Sequence, residues 1–453
     1  MNIDILIYKG LILTPNSQTP YLNPGYLVIT EGKIVDLAAG DPPESLLEQA
    51  KRTIDARDKL VMPGLINSHT HAAMSIFRGI VDDLPLDNWL KCIFSLEKGF
   101  VDEEFVYWGS LLSGIEMIMS GTTCFADGYF YEDSVARACL KLGIRAVLSQ
   151  GVIDFPTPDV PEPSENLKVA ENFLKAWMGH SLISPAIFAH APYSCSSKTI
   201  KGAKALTRDY KTLFFIHAAE TRWEVEKVKR EYGETPISYL YKLNTLDEDT
   251  VLVHVNWINR DEIEILKDTG TKVVHNPESN MKLGSGLSPV PDLLKEGIIV
   301  GLGTDSCASN NNLDLFQEMD SCAKVHKGFR KDPTVMPAEE VLSMSTCYGA
   351  KVLGLEEKIG CLEKGKDADI ILVDLNHIHL FPIYNPYSHI VYAMKGTDVN
   401  TVIVEGKIIM ENRKIISLSI QDVIENVILL SKKIKNGGES GIRTHGRCYP
   451  TLA

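Results

Sequence analysis

The stretch Pro63–Gly79, PGLINSHTHAAMSIFRG, closes an apolar run with two histidines one residue apart, His69 and His71. In an extended segment residues i and i+2 point the same way, so the two imidazoles share one side of the chain. A lone H-x-H pair is weak evidence, and the rest of the chain decides its meaning. The run LVMPGLINSH is the first of eight. The others are TTCFADG, RAVLSQGV, ISPAIFAHAP, TLFFIHAAE, TVLVHVN, TKVVHNP and IIVGLGTDS. Between them lie segments with helical apolar spacing, such as DEEFVYWGSLLSGIEMIMSG and RDEIEILKDTG. Eight buried strands, each followed by a helix, predict an α/β protein whose centre, residues 63–361, is a TIM-type (β/α)8 barrel.

The ends of the chain read differently. DILIYKGLILT and GYLVITEGKIVDLAA alternate short β-rich runs with turns, and Thr30-Glu31-Gly32-Lys33 suits a hairpin. The same style returns in ADIILVDL and VNTVIVEGKIIMENRKI, where the tetrapeptide EGKI of Glu31–Ile34 recurs at Glu405–Ile408. Residues 1–62 and 362–417 are therefore expected to form one small β-sandwich, joined in space but not in sequence. Residues 418–435 read as a terminal helix. Residues 436–453 lack apolar periodicity and are expected to be a disordered tail without a catalytic role.

Bulk properties narrow the function. The 453 residues carry a formal net charge of −13, which argues against binding nucleic acid or an anionic membrane. No apolar run reaches the roughly 18 residues of a membrane span. The N-terminus MNIDILIYKGLILTPN has no basic n-region or cleavage site, so no signal peptide is expected. Nine scattered cysteines without a C-x-x-C point to reduced thiols and a cytoplasmic protein.

A (β/α)8 barrel carries its active site at the C-terminal ends of its strands. Strand one ends in His69 and His71, strand four in His190, and strand five in His217 with Glu220 three residues on. Strand six ends in His254, strand seven in His275, and strand eight in Thr304-Asp305. Six of the twelve histidines fall at these points, more than packing explains. Imidazole nitrogens suit zinc or ferrous iron. His69, His71 and His217 with the carboxylate of Asp305 would leave room for a water, the mark of a catalytic metal. Strand four, in SPAIFAHAPYS, has no lysine of the kind that bridges two metals, so one metal is expected.

The motifs PGLINSHTH, HAAETRWE, HNPESNMKLGSG and GLGTDSCASNNNLDLF resemble the amidohydrolase superfamily. Within it they are similar to the 5-methylthioadenosine/S-adenosylhomocysteine deaminases, over about residues 3–415. The resemblance implies hydrolytic deamination of adenosine-type nucleosides to the inosine analogues and ammonia, with one Zn2+ per subunit, replaceable by Fe2+ or Mn2+. It assigns His69, His71, His217 and Asp305 to the metal, and Asp305 also receives the water's proton. It makes Glu220 the proton shuttle against the base, and places His254 beside the nucleophilic water. Glu97 would hold the ribose hydroxyls with Trp89 packed nearby, and His190 would touch the nucleoside. His275 and Asn280 would be supports. Just before Gly151 the family often carries an arginine, and this chain has Gln150, which is read as a position facing the substrate's 5′ group. That departure disfavours S-adenosylhomocysteine, with its carboxylate tail, and favours methylthioadenosine, 5′-deoxyadenosine or adenosine. A homo-oligomer is expected. Two readings compete: hydrolysis of a triazine or another N-heterocycle, which shares the metal set but not a ribose clamp, and a barrel without catalysis, which would lack ligands.

Overall fold

The computed structural model describes residues 3–14 and 20–440, with side chains through residue 436. The opening apolar run divides at Gly64. Lys59–Pro63 is a strand of the small sheet, and Leu65–Thr70 is the first barrel strand. A Cβ on Gly64 would lie 2.1 Å from Thr123 Oγ1, so only glycine lets the chain pass from one sheet to the other here.

The other barrel strands are Thr122–Tyr129, Arg145–Val152, Ile183–Ala189, Phe214–Ala218, Thr250–His254, Lys272–His275 and Val300–Leu302. All eight runs became strands, parallel and paired in sequence order. The barrel closes between strands eight and one, where the Asp305 N–H donates to the His69 carbonyl (3.0 Å) and the Thr304 N–H to Asn67 Oδ1 (3.0 Å). Ile66, Val147, Phe188, Phe215, Val253 and Val274 fill the interior. The expected helices are in place. Glu103–Met119 is capped by Asp102, which accepts the Phe105 N–H at 2.8 Å, and Arg260–Thr269 by a reciprocal Asn259–Glu262 box. Each cap satisfies backbone donors that a helix start leaves free.

The small domain is one nine-stranded mixed sheet drawn from both ends of the chain. Its seam is the antiparallel pairing of Lys59–Pro63 with Ile370–Asp374. The sheet folds over a core that includes Ile7, Leu27, Ile29, Val61, Ile370 and Ile403, the sandwich read from the alternating ends. Both EGKI turns are tight hairpins with positive φ, at Glu31 (50°) and Gly32 (78°), and at Glu405 (47°) and Gly406 (69°). They pack back to back: a Cβ on Gly406 would sit 2.7 Å from the Gly32 Cα. Arg145, 2 % exposed at the base of barrel strand three, ties the two domains. Its Nε donates to Asp369 Oδ2 (2.9 Å) and its Nη2 to Asp369 Oδ1 (3.2 Å) and Asp367 Oδ2 (3.1 Å).

Two boundaries differ from expectation. Pro63, expected in the barrel, ends a strand of the small sheet. The terminal helix, expected to end at residue 435, runs from Ile420 to Ser440. Gly437 and Gly438 weaken a helix but, unlike proline, keep the N–H that continues it. Residues 436–440 are thus helical backbone rather than tail, and the rest of the expected tail, 441–453, lies outside the described residues. Val423, Leu430 and Ile434 are buried on this helix's inner face. Among the described residues no helix is long and apolar enough to cross a membrane.

Candidate active site

At the C-terminal rim of the barrel, His217 Nε2 lies 3.4 Å from His69 Nε2, and Asp305 Oδ1 lies 3.5 Å from His69 Nε2 and 3.6 Å from His71 Nε2. Four donors each about 2.0–2.1 Å from one tetrahedrally coordinated ion would stand roughly 3.3 Å apart. The outward nitrogens agree with this. His71 Nδ1 faces the Gly128 carbonyl at 2.6 Å and His217 Nδ1 the His190 carbonyl at 2.9 Å, so each ring carries its proton on Nδ1 and turns a lone pair inward. Burial pushes the His69 pKa down to about 4 and that of His217 well below the usual range, which keeps both neutral as ligands must be. Burial acts to raise the Asp305 carboxyl, but hydrogen bonding to His69 and the neighbouring imidazoles hold it well below the usual carboxylate range. Ser279 Oγ donates to its Oδ2 (2.6 Å) and the Ser306 N–H to its Oδ1 (2.8 Å). The residues fit a divalent metal.

Backbone strain aims several of these groups. His254 (φ 76°), Val255 (50°), Ala219 (53°) and Asp305 (61°) all adopt left-handed conformations without being glycine. Each costs about 1–3 kcal/mol and persists only where surroundings enforce it. Glu220 sits next to the turned Ala219. Buried Glu224 accepts the N–H groups of Ala219 (2.9 Å) and Glu220 (2.7 Å), and Asn256 Nδ2 donates to the Glu220 carbonyl (2.9 Å). The Glu220 carboxyl accepts Ser285 Oγ at 3.0 Å and stands 3.8 Å from His254 Nε2. Burial raises its pKa, with Asp305 adding to the effect, so it keeps a proton longer than an exposed glutamate.

A cavity of about 810 Å³, its open mouth included, joins this centre to a helical cover. His71, His217, Glu220, His254 and Asp305 line one end. The helix Leu86–Phe100 brings Trp89, Ile93 and Glu97 to the other, at i, i+4 and i+8 on one face. Glu97 Oε1 accepts the Tyr129 hydroxyl at 2.7 Å, and burial pushes its pKa up to about 8. His190 also lines the cavity, with Nδ1 2.7 Å from Ser194 Oγ. Among the described residues no lysine or arginine lines the cavity.

One expectation fails. Gln150 is not on the cavity wall: its Nε2 donates to Asp159 Oδ2 at 2.7 Å. In barrel strand three the interior parity belongs to Val147 and Gly151, so residue 150 points the other way. His275, read as a support, turns away from the cavity. Its Nε2 meets His326 Nε2 at 3.2 Å, against the helix Leu315–Arg330. Val274 takes the interior side of that strand. Tyr129, Asn256, Ser279 and Ser285 went unread, because hydroxyl and amide partners leave no spacing pattern in a sequence, and Glu224 went unread as one more charge on an exposed-looking helix.

The amidohydrolase family model matches residues 60–409. The chain belongs to the amidohydrolase family. It is 44% identical over 436 residues to 5-methylthioadenosine/S-adenosylhomocysteine deaminase 1 of Syntrophus aciditrophicus (strain SB), covering 96% of this chain and 98% of that one. It is 42% identical over 425 residues to the 5'-deoxyadenosine deaminase of Methanosarcina mazei, covering 93% and 96%. A crystal structure of an adenosine deaminase from Xanthomonas campestris with bound zinc superposes with a TM-score of 0.92 at 32% identity, covering 96% of this chain and 99% of that one. The protein is thus a metal-dependent amidohydrolase, and its barrel and two-ended small sheet are those of the family.

Proposed function

We propose that the protein hydrolytically deaminates adenosine-type nucleosides to their inosine analogues and ammonia, with zinc as the metal. The observation that carries the reading is one continuous cavity. It joins a three-histidine, one-aspartate centre and a protonatable Glu220 at one end to Glu97 at the other. The zinc-bound relative and the deaminases named above support it. His69, His71, His217 and Asp305 would hold the zinc, which would supply a hydroxide nucleophile at neutral pH.

The chain's own residues carry the protons. Asp305 takes the proton released as water adds to C6 of the adenine ring. Glu220 gives its proton to N1, so negative charge does not build on the ring. His254 faces the new oxygen while C6 is tetrahedral. On collapse Glu220 recovers a proton from that oxygen and Asp305 passes its own to the amine, which leaves as ammonia. Both carboxyls end as they began. Glu97 accepts the ribose hydroxyls, and Trp89 packs beside them. Ammonia release from a panel of adenosine analogues by the zinc-loaded protein tests the reading, and turnover of triazines but no nucleoside would replace it.

The cavity wall also speaks to the 5′ group. Without a lining cation, the carboxylate of S-adenosylhomocysteine would enter unpaired, at a cost of several kcal/mol. We infer that kcat/KM for 5′-deoxyadenosine and methylthioadenosine exceeds that for S-adenosylhomocysteine by about 10²-fold or more. Competition assays settle the order. Free, mostly buried cysteines support a reducing, cytoplasmic setting.

A further inference from the structure

His254 is tied to the Glu220 turn by a chain of amides. The Glu220 carbonyl accepts Asn256 Nδ2 at 2.9 Å. Asn256 Oδ1 accepts Asn280 Nδ2 at 2.9 Å. Asn280 Oδ1 in turn lies 3.0 Å from His254 Nδ1. All four residues are buried, so water does not compete for these groups.

The chain has a direction, and one end sets it. An amide's oxygen and nitrogen can exchange places by a half-turn, and a ring nitrogen can be donor or acceptor. A backbone carbonyl has no such freedom, because it only accepts. Asn256 must therefore present its NH2 to Glu220, since the reverse sets two oxygens against each other at 2.9 Å. Its oxygen then faces Asn280, which must donate. Asn280 Oδ1 is left toward His254, and Nδ1 there must carry a proton. Asn276 is the remaining neighbour, with Nδ2 placed 3.2 Å from the same Nδ1 and with a buried Oδ1 that lacks a partner. Turned over, it offers a second acceptor to the same N–H and gives that oxygen a donor.

We propose that Asn280 and Asn256 are positioning residues that lock His254 as the Nδ1–H tautomer, so that its Nε2 presents a lone pair to the cavity. The consequence for the reaction rests on the deaminase reading. Nε2 enters as an acceptor, oriented to take a hydrogen bond from the attacking water and 3.8 Å from Glu220 Oε2. Asn280 Oδ1 stays a partner for Nδ1–H throughout. The neutral Nε2–H tautomer is the one form the chain disfavours, because it sets a ring lone pair against the Asn280 oxygen.

The test is the nitrogen-15 spectrum of histidine-labelled, zinc-loaded protein, with His254 assigned by its loss in His254→Gln. The expected signature is a protonated Nδ1 and an unprotonated Nε2. Asn280→Leu should mix the tautomers and lower kcat by about 10²-fold, with KM and metal content little changed. Asn280→Asp keeps an acceptor beside Nδ1 but loses the donor to Asn256 Oδ1, so it should restore the signature while recovering kcat only in part. A neutral Nε2–H tautomer in the unsubstituted protein overturns the proposal even if no variant folds. So does an unchanged signature with unchanged kcat in Asn280→Leu. Ammonia release by the unsubstituted protein separates these outcomes from failure of the deaminase reading, since the tautomer is read without turnover.

Discussion

Glu97→Gln separates what the cavity needs for stability from what it needs for substrate. The glutamate is 5 % exposed, and its polar partner in the structure is the Tyr129 hydroxyl. Burial moves its pKa from 4.5 to about 8. The folded protein thus holds a proton on Glu97 that the unfolded chain releases near pH 4.5. Stability from this group is fully present below about pH 4.5, falls as pH rises to about 8, and is flat above. At 1.36 kcal/mol per pKa unit the interval sets an upper bound of about 5 kcal/mol, and relaxation around the charge brings the expectation to a few kcal/mol. Gln keeps the shape and an oxygen for Tyr129 but never ionises. At pH 5 the two proteins should melt together. At pH 9 the variant should melt higher by a few degrees, at about 1–2 °C per kcal/mol for a chain this long.

Function should move oppositely. Ribose hydroxyls bind a carboxylate more strongly than an amide, so at pH 9, where Glu97 is ionised, KM for nucleosides should rise about 10–100-fold in the variant, with kcat less affected. Melting curves at pH 5, 7 and 9 and steady-state kinetics read both arms. An equal difference in melting temperature at pH 5 and pH 9 would refute the ionisation argument, and an unchanged KM would refute the ribose contact.

Three further outcomes follow from the same geometry. Glu220→Gln should keep metal and bind nucleoside yet lose about 10²–10⁴ in turnover, because Gln retains the Ser285 hydrogen bond but carries no acid proton; near-normal turnover would move the shuttle elsewhere. Metal analysis should find one tightly held divalent ion at this centre, lost with activity on chelation or in His217→Ala, whereas a lysine-bridged pair would contradict a fourth barrel strand that contains no lysine. Arg145→Met strands the Asp369 and Asp367 carboxylates at the domain seam and should lower unfolding free energy by about 3–5 kcal/mol without changing kcat; a shift in denaturant midpoint worth under about 1 kcal/mol would show that the pair does not join the domains.

What the sequence exposed and what it hid divide along one physical line. A barrel strand is buried on both faces and reads as a continuous apolar run, which is why all eight were visible. The same continuity erases parity. In TLFFIHAAE nothing distinguishes the inward Phe215 from the outward Phe214, yet parity decides that His217 reaches the metal centre. In TKVVHNP two valines leave it equally open, and there the inward residue is Val274, so His275 turns to His326. RAVLSQGV hides the side of Gln150 for the same reason. His254 is the sharper case. Val253 holds the inward side, so alternation alone would turn its neighbour away. The left-handed backbone at His254 and Val255 brings the imidazole back to the cavity, and the Asn256–Asn280 amides hold it there. A period-two pattern carries no record of that local strain. The place of His254 thus depends least on its own strand and most on this left-handed turn and on Asn256 and Asn280.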